Sequence, residues 1–178
     1  MKLLKNVFIL LVVCSMSFAV NAQSKKDKKI IKESDEAVST LLKVNPGLRE
    51  LFNTSAGCVI FPNVGKGGFI VGGASGNGVL YQYGEKKGMA ALKELSVGLQ
   101  AGGQSLIEVI FFEQLTDVEK FKEGNFAFDA GVSAVALKSG ESLDAKYKDG
   151  VMVFTHSKAG LMAEASVGGQ KFSYKAFE

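Results

Sequence analysis

The residues that could do chemistry in this chain are few, and the first group is a run of lysines near the N-terminus. Residues 23–32 carry five lysines against one aspartate, a net charge of 5 − 1 = +4. These lysines are Lys25, Lys26, Lys28, Lys29 and Lys32. A basic segment beside an amphipathic helix is typical of proteins that bind the surface of a membrane. The alternative is a solvated leader that only improves solubility.

A second possible site would join a nucleophile to a base. Cys58 is a cysteine in a predicted strand, and His156 is the one histidine of the chain. Cys58 lies among apolar residues, where an inert buried thiol is common. With one histidine, the usual set of His and Cys ligands of a zinc site cannot be assembled. We therefore predict no nucleophilic dyad, no metal site and no cofactor.

Acidic and glycine-rich segments offer two further kinds of site. Glu108, Glu113, Asp117 and Glu119 could supply a pair of carboxylates, but their spacing singles out no pair. Glu108 is expected to face solvent, as most glutamates do. Residues 72–76 are rich in glycine, but a phosphate-binding loop leads into a helix, and here a strand is predicted to follow. The sequence therefore favours a protein that is not an enzyme.

Two helices are predicted to come before the strands that carry these residues. Apolar side chains recur at helical spacing over residues 28–44, including Ile30, Ile31, Val38 and Leu41. The pair Asn45-Pro46 ends this helix, because a residue before proline is pushed out of the helical region. A second short helix is expected to follow. The apolar stripe of the first helix would insert into lipid only if that helix can leave the domain.

From residue 56 onward the hydrophobic pattern alternates, which predicts strands. Asn77-Gly78 predicts a hairpin turn, and a short helix is expected near residues 117–122. Glycine-rich segments within the strands indicate bends or close approach of another backbone. The predicted fold class is α+β. Two N-terminal helices precede a mostly antiparallel, strongly curved or barrel-like sheet of eight or nine short strands, with one short inserted helix.

The first 22 residues are typical of a secretory signal peptide. A positive start is followed by an apolar run over residues 7–13 that is too short to span a bilayer, and small residues precede a cut after Ala22. A lipoprotein signal with Cys14 as lipid acceptor is the alternative, and Val13 fits it poorly. We predict an exported protein, periplasmic or secreted, that lies at the periphery of a membrane.

Charge and composition define the rest of the organisation. Removing the two lysines of the signal leaves 21 − 2 = 19 basic residues against 18 acidic ones, a net charge of +1. Such a balance is not that of a nucleic-acid-binding protein. The predicted organisation is a signal peptide over residues 1–22, a basic leader over 23–32 and a single domain over 33–178.

Four segments resemble the SYLF domain in their order and spacing. They are Ala56-Gly57-Cys58-Val59-Ile60-Phe61-Pro62, Gly67-Gly68-Phe69-Ile70-Val71-Gly72-Gly73, Gly98-Leu99-Gln100-Ala101-Gly102-Gly103-Gln104 and Ser157-Lys158-Ala159-Gly160-Leu161. The resemblance covers residues 30–176. It implies a lipid-binding domain, also described as an actin-binding domain in yeast actin-patch proteins. It further implies binding to anionic phospholipids with the help of an N-terminal amphipathic helix.

The sequence thus predicts a non-enzymatic binding domain of the cell envelope whose partner is anionic phospholipid or a membrane surface. Actin is not an expected partner of an exported protein. The predicted lipid-binding residues are Lys25, Lys26, Lys28, Lys29, Lys32, Ile31, Val38 and Leu41. Two alternatives stay open, namely a structural or oligomer-forming envelope protein, and an envelope enzyme that uses acidic catalytic residues.

Overall fold

The protein is described by a computed structural model over residues 25–68, 71–97, 104–124, 134–139, 143, 145–158 and 169–177. Helix α1 covers residues 25–44 and is followed by α2, Leu48–Thr54. Between them, Asn45 Oδ1 accepts a hydrogen bond of 3.0 Å from the backbone N–H of Gly47. This turn, in which an asparagine side chain bonds its own backbone two residues on, joins the two predicted helices.

Seven strands and one inserted helix follow the two N-terminal helices. They are β1 (Gly57–Gly68), β2 (Val71–Gln82), β3 (Glu85–Val97), β4 (Gln104–Phe112), α3 (Leu115–Lys122), β5 (Val135–Ala136), β6 (Val151–Ser157) and β7 (Gln170–Ala176). The predicted α+β class, with two leading helices and one short inserted helix, is therefore confirmed.

The strands form one sheet in the order β5-β6-β4-β1-β2-β3-β7. Neighbouring strands are antiparallel except for β5 and β6, which are parallel. The predicted mostly antiparallel sheet is confirmed, but its predicted size and shape are not. The described residues form seven strands rather than eight or nine, and the sheet is open, with β5 and β7 at its edges, rather than barrel-like or strongly curved.

The first three strands are longer than the sequence suggests, and a strand predicted over residues 160–167 lies outside the described residues. These first three strands contain 12, 12 and 13 residues. Pro62 lies inside β1, where a register shift between Ile60 and Asn63 marks a bulge. A bulge can carry a proline, which has no N–H to donate to the neighbouring strand. Pro62, a residue type that often marks a turn, thus lies here within a continuous strand.

Gly78 lies in β2 directly beside this bulge, so the predicted hairpin at Asn77-Gly78 is wrong. A Cβ atom at position 78 would lie 2.3 Å from the backbone oxygen of Ile60 and 2.7 Å from the ring of Phe61. Glycine is therefore required here for close backbone approach. The turn between β2 and β3 instead uses Tyr83 and Gly84, whose φ angles are 54° and 76°, as the favoured two-residue hairpin turn requires.

The close approach at Gly78 gives a test of the register of β1 and β2. We expect Gly78→Ala to lower the free energy of unfolding by about 1–3 kcal/mol, because the new methyl group must displace the bulged backbone. Urea unfolding followed by circular dichroism measures it. Gly65→Ala is the matched control, because a Cβ there meets nothing within 4 Å. Equal stability of the two variants would contradict the bulge.

Each face of the sheet is covered by helices. On the α1 face, Ile60, Val109 and Phe111 form a core with Leu41 and Leu48 of the N-terminal helices. On the α3 face, buried residues of β1, β2, β3, β4, β6 and β7 form a second core with Val118 and Phe121 of α3. Strand β4 contributes to both cores, so the side chains of its residues 106–112 are buried whichever way they point.

The predicted export depends on residues at the N-terminus that the structure does not describe. Residues 1–22, the predicted signal peptide, lie outside the described part of the chain, so the signal stays a prediction. Residues 25–32 form the first two turns of α1 and continue into the helix without a break. Across the described residues, no helix has both the length and the apolar character needed to cross a membrane.

Candidate functional site

Four of the five predicted lysines lie on the outer side of α1, and Lys26, four residues before Ile30, lies nearer the packed side. The helix packs on the sheet through Ile30, Ala37 and Leu41, all of which are buried. At 100° per residue, Lys28 and Lys32 project from the opposite side of the helix. All five lysines of the predicted site are exposed. The first two turns of α1 therefore carry five exposed lysines, which we call the lysine face: Lys25, Lys26, Lys28, Lys29 and Lys32.

Ion pairs within α1 neutralise the lysine face only in part. Lys29 Nζ lies 3.8 Å from a carboxylate oxygen of Glu33, and Lys32 Nζ lies 3.6 Å from one of Glu36. The lysine side chains are 75% and 80% exposed in these pairs. Exposed pairs four residues apart contribute only a few tenths of a kcal/mol. The lysines can therefore exchange these partners for an external anion at little cost.

The apolar residues predicted to contact lipid are placed differently. Ile31 and Val38 are half-buried, whereas Leu41 is fully buried in the core of the α1 face. The Asp35 carboxylate holds the same helix in place, accepting a hydrogen bond of 2.9 Å from Tyr81 Oη and another of 2.9 Å from Lys86 Nζ. Leu41 therefore cannot reach a membrane unless α1 leaves the domain.

A groove of about 610 Å³ lies beside α1, bounded by α2 and the turn between β2 and β3. Val38, Leu42 and Phe52 line its apolar walls. Cys58 also lines it, and burial raises the pKa of its thiol to about 12, so the thiol is neutral and adds apolar surface. Burial, followed by the hydrogen bond to Asp35, also raises the pKa of Tyr81. Its phenol thus stays protonated and keeps donating to the Asp35 carboxylate.

The structure does not bring Cys58 and His156 together. Cys58 lies opposite Phe111 of β4, whereas His156 lies opposite Ile107 of the same strand. Four residues of a strand span about 13 Å, which is too far for a nucleophile and its base. In the described ranges, no three His, Cys, Asp or Glu residues are grouped so that they could hold a metal ion.

A buried polar cluster on the α3 face is the feature that sequence reasoning missed. Gln170 Nε2 donates hydrogen bonds of 3.1 Å to Glu94 and 3.3 Å to Glu108, and Lys66 Nζ lies 3.4 Å from Glu94. Strands β1, β2 and β3 stand between β4 and β7 in the sheet order, yet their side chains meet here. We call Lys66, Glu94, Glu108 and Gln170 the polar cluster.

The expectation that Glu108 faces solvent is wrong, because its side chain is fully buried. Burial raises the pKa of its carboxyl to about 7; the hydrogen bond from Gln170 and the charge of Lys66 act against this rise, while Glu94 adds to it. One available signal was the apolar run Leu106–Phe112, interrupted by this single acid. Such a run predicts a strand covered on both faces, where an acid must be buried.

Of the four acids that the sequence offered, Glu108 lies in the polar cluster, and its neighbour there is Glu94, which was not among those four. Glu94 and Glu108 share one amide donor, but Glu108 is fully buried and the side chain of Glu94 is 3% exposed. A substrate cannot contact these carboxylates in this conformation. Their arrangement is that of a buried structural network, whose energetic balance depends on complete hydrogen bonding.

Two comparisons with known proteins bear on the family. Residues 93–176, just under half of the chain, match the family model Ysc84, described as Las17-binding protein actin regulator. The chain is also 27% identical over 158 residues to Beta cell expansion factor A of Aeromonas veronii, an alignment that covers 86% of this chain and 59% of that protein. The chain thus spans less than two thirds of that relative. The resemblance to the SYLF domain family, carried by the four sequence motifs, is confirmed by these matches.

Proposed function

We propose that this protein is a non-enzymatic binding domain that associates with anionic phospholipid membranes through the lysine face of α1. The observation that carries the proposal is the exposure of five lysines in the first two turns of α1, four of them on the side that faces away from the sheet. The SYLF family is associated with lipid binding, which supports the same role. We also propose that the chain is exported, because the sequence of residues 1–22 is typical of a signal peptide.

The physical basis of this association is electrostatic. A lysine near an anionic membrane surface contributes about 1 kcal/mol of attraction. The apolar stripe of α1 is packed on the sheet, so insertion adds little while the helix stays in place. Exposed charges are screened over about 8 Å at physiological ionic strength. The proposed association is therefore reversible and sensitive to salt.

Charge removal on the lysine face tests the proposal. We expect the chain from residue 23 to co-sediment with vesicles of phosphatidylglycerol and phosphatidylcholine, and less with phosphatidylcholine alone. Replacing the five lysines of the lysine face by glutamine should weaken binding roughly tenfold or more at low salt, because the attraction of these side chains is lost. Raising the salt concentration should weaken binding of the unmodified chain in the same way.

The control variant changes the same number of charges elsewhere. Its substituted lysines, all exposed, are Lys43, Lys93, Lys146, Lys171 and Lys175. Equal loss of binding in both variants would show that only net charge matters and would contradict a site on α1. Unchanged binding in the lysine-face variant would make these lysines a solubilising segment. Size-exclusion chromatography of the same samples tests the alternative of an oligomer-forming envelope protein.

A further inference from the structure

The groove beside α1 has the surface expected of a site for a hydrocarbon chain. Its volume of about 610 Å³ lies in the range of small-molecule sites. Its apolar lining comes from three consecutive elements, with Leu42 from α1, Phe52 from α2 and Ile60 from β1. The ring of Phe52 is fixed by an edge contact with Phe111, with ring centroids 4.9 Å apart. The apolar wall is thus supported by the core of the α1 face.

Two charged residues of opposite sign line the groove, Asp35 and Arg49. The Asp35 carboxylate is engaged by Tyr81 and Lys86 at 2.9 Å each. Arg49, on α2, lines the same groove and is exposed. Within the described part of the chain, Arg49 forms no ion pair. A ligand that fills the groove can therefore place an anionic group at Arg49 without displacing an existing pair.

The chemical identity of Arg49 points to a carboxylate or a phosphate. It is the one arginine among the 21 basic residues of the chain. A guanidinium presents a rigid, planar set of donors that binds carboxylate and phosphate with two hydrogen bonds, which an ammonium cannot do. The aromatic ring of Tyr83, which is 75% exposed, stands at the rim of the same groove. Tyrosines with one apolar and one polar end are common at membrane interfaces.

We propose that this groove binds one fatty acyl chain whose anionic head group, a carboxylate or a phosphate, pairs with Arg49. This inference rests on the lipid-binding function proposed above and names the part of the lipid that the domain holds. Val38 connects the two proposals, since the sequence predicts that it contacts lipid and it lines the groove. The acyl chain enters a packed domain, so α1 need not leave the sheet.

A fluorescent fatty acid, 11-(dansylamino)undecanoic acid, tests the proposal on the chain from residue 23. We expect its fluorescence to rise and saturate at one probe per chain, and palmitate to displace it. Arg49→Gln should weaken the affinity roughly tenfold, the scale of one charge-assisted contact. Lys43→Gln is the matched control, because it removes one positive charge from an exposed position of α1 that does not line the groove.

A second variant fills the groove without changing charge. Val38→Trp should abolish probe binding, with circular dichroism confirming that the protein stays folded. Competition by palmitate and by lysophosphatidate then distinguishes a carboxylate from a phosphate head group, and displacement by either supports the proposal. Absence of probe binding in the unmodified chain, or binding unaffected by both Arg49→Gln and Val38→Trp, would overturn it.

The two proposals fail in different ways. Probe binding retained by the lysine-face variant, together with its loss of vesicle binding, supports both. Vesicle binding without probe binding overturns the groove and leaves the membrane function intact. One-site probe binding without vesicle binding overturns the membrane function and leaves the groove proposal intact. A dimer that Val38→Trp dissociates, in a chain that binds no probe, would assign the groove to a second copy of the chain and overturn the proposal.

Discussion

Glu108→Gln should remove the fall in stability that we expect burial of this carboxyl to cause in the unmodified protein between about pH 4.5 and pH 7. The buried carboxyl of Glu108 keeps its proton in the folded state up to about pH 7, whereas in the unfolded chain it loses the proton near its ordinary pKa of 4.5. Between these values the folded state binds more protons. The free energy of unfolding therefore falls as the pH rises through this window.

The size of the effect follows from the pKa difference. Each unit corresponds to about 1.36 kcal/mol, so the Glu108 contribution lost by pH 8 amounts to about 3 kcal/mol. Glutamine has a similar shape and no charge, so Glu108→Gln should be more stable than the unmodified protein at pH 8 by up to about that amount. Near pH 4 the two proteins should differ little.

Urea unfolding between pH 4 and pH 8, followed by circular dichroism, measures this difference. Glu113→Gln is the control, because Glu113 directly follows β4 and is exposed. Its pH profile should run parallel to that of the unmodified protein. If Glu108→Gln also ran parallel, Glu108 would be charged in the folded state, and the burial of the polar cluster would be contradicted.

Phe121→Ala should lower the free energy of unfolding by about 3–5 kcal/mol, the cost of removing a fully buried aromatic ring. Phe121 lies on α3 with no exposed surface. Its ring centroid is 5.3 Å from that of Phe112 on β4, 5.6 Å from that of Phe172 and 6.5 Å from that of Tyr174, both on β7. The ring therefore joins the inserted helix to a central strand and to an edge strand.

Thermal and urea unfolding both measure the loss. Leu115→Ala, at the first residue of the same helix, is the matched control, because Leu115 is 47% exposed. We expect that control to change stability by well under 1 kcal/mol, as exposed substitutions usually do. Equal effects of the two substitutions would mean that α3 does not cover this face of the sheet.

Local patterns predicted the helices of this fold well and the strand ends poorly. The stripe that includes Ile30 and Leu41 identified α1 because helical spacing is a property of neighbouring residues. The end of a strand depends on its partner strand. The glycine at position 78 leaves room for the backbone of a bulge in β1, which lies about 17 residues away along the chain. In the sequence alone, a glycine that forms a hairpin turn cannot be told apart from a glycine that lets another backbone come close.

The same distinction separates the parts of the candidate site. The exposure of Lys25, Lys28, Lys29 and Lys32 could be predicted, since the apolar stripe lies on the opposite side of α1. The groove could not, because it needs α1, α2, β1 and the turn after β2 to meet. Glu108 was misplaced for the same reason, since its burial depends on cover from both faces of the sheet and on Gln170, 62 residues further along the chain.

The polar cluster also reports whether the whole chain has folded. Its members come from β1, β3, β4 and β7, and they span 170 − 66 = 104 residues. Glu94 and Gln170 are 76 residues apart, so their contact forms only after a long loop has closed, at an entropic cost that local contacts do not carry. A chain that stops before β7 holds Glu94 and Glu108 without their shared amide. The stability of the centre of the sheet thus depends on the presence of β7, the strand at its C-terminal edge.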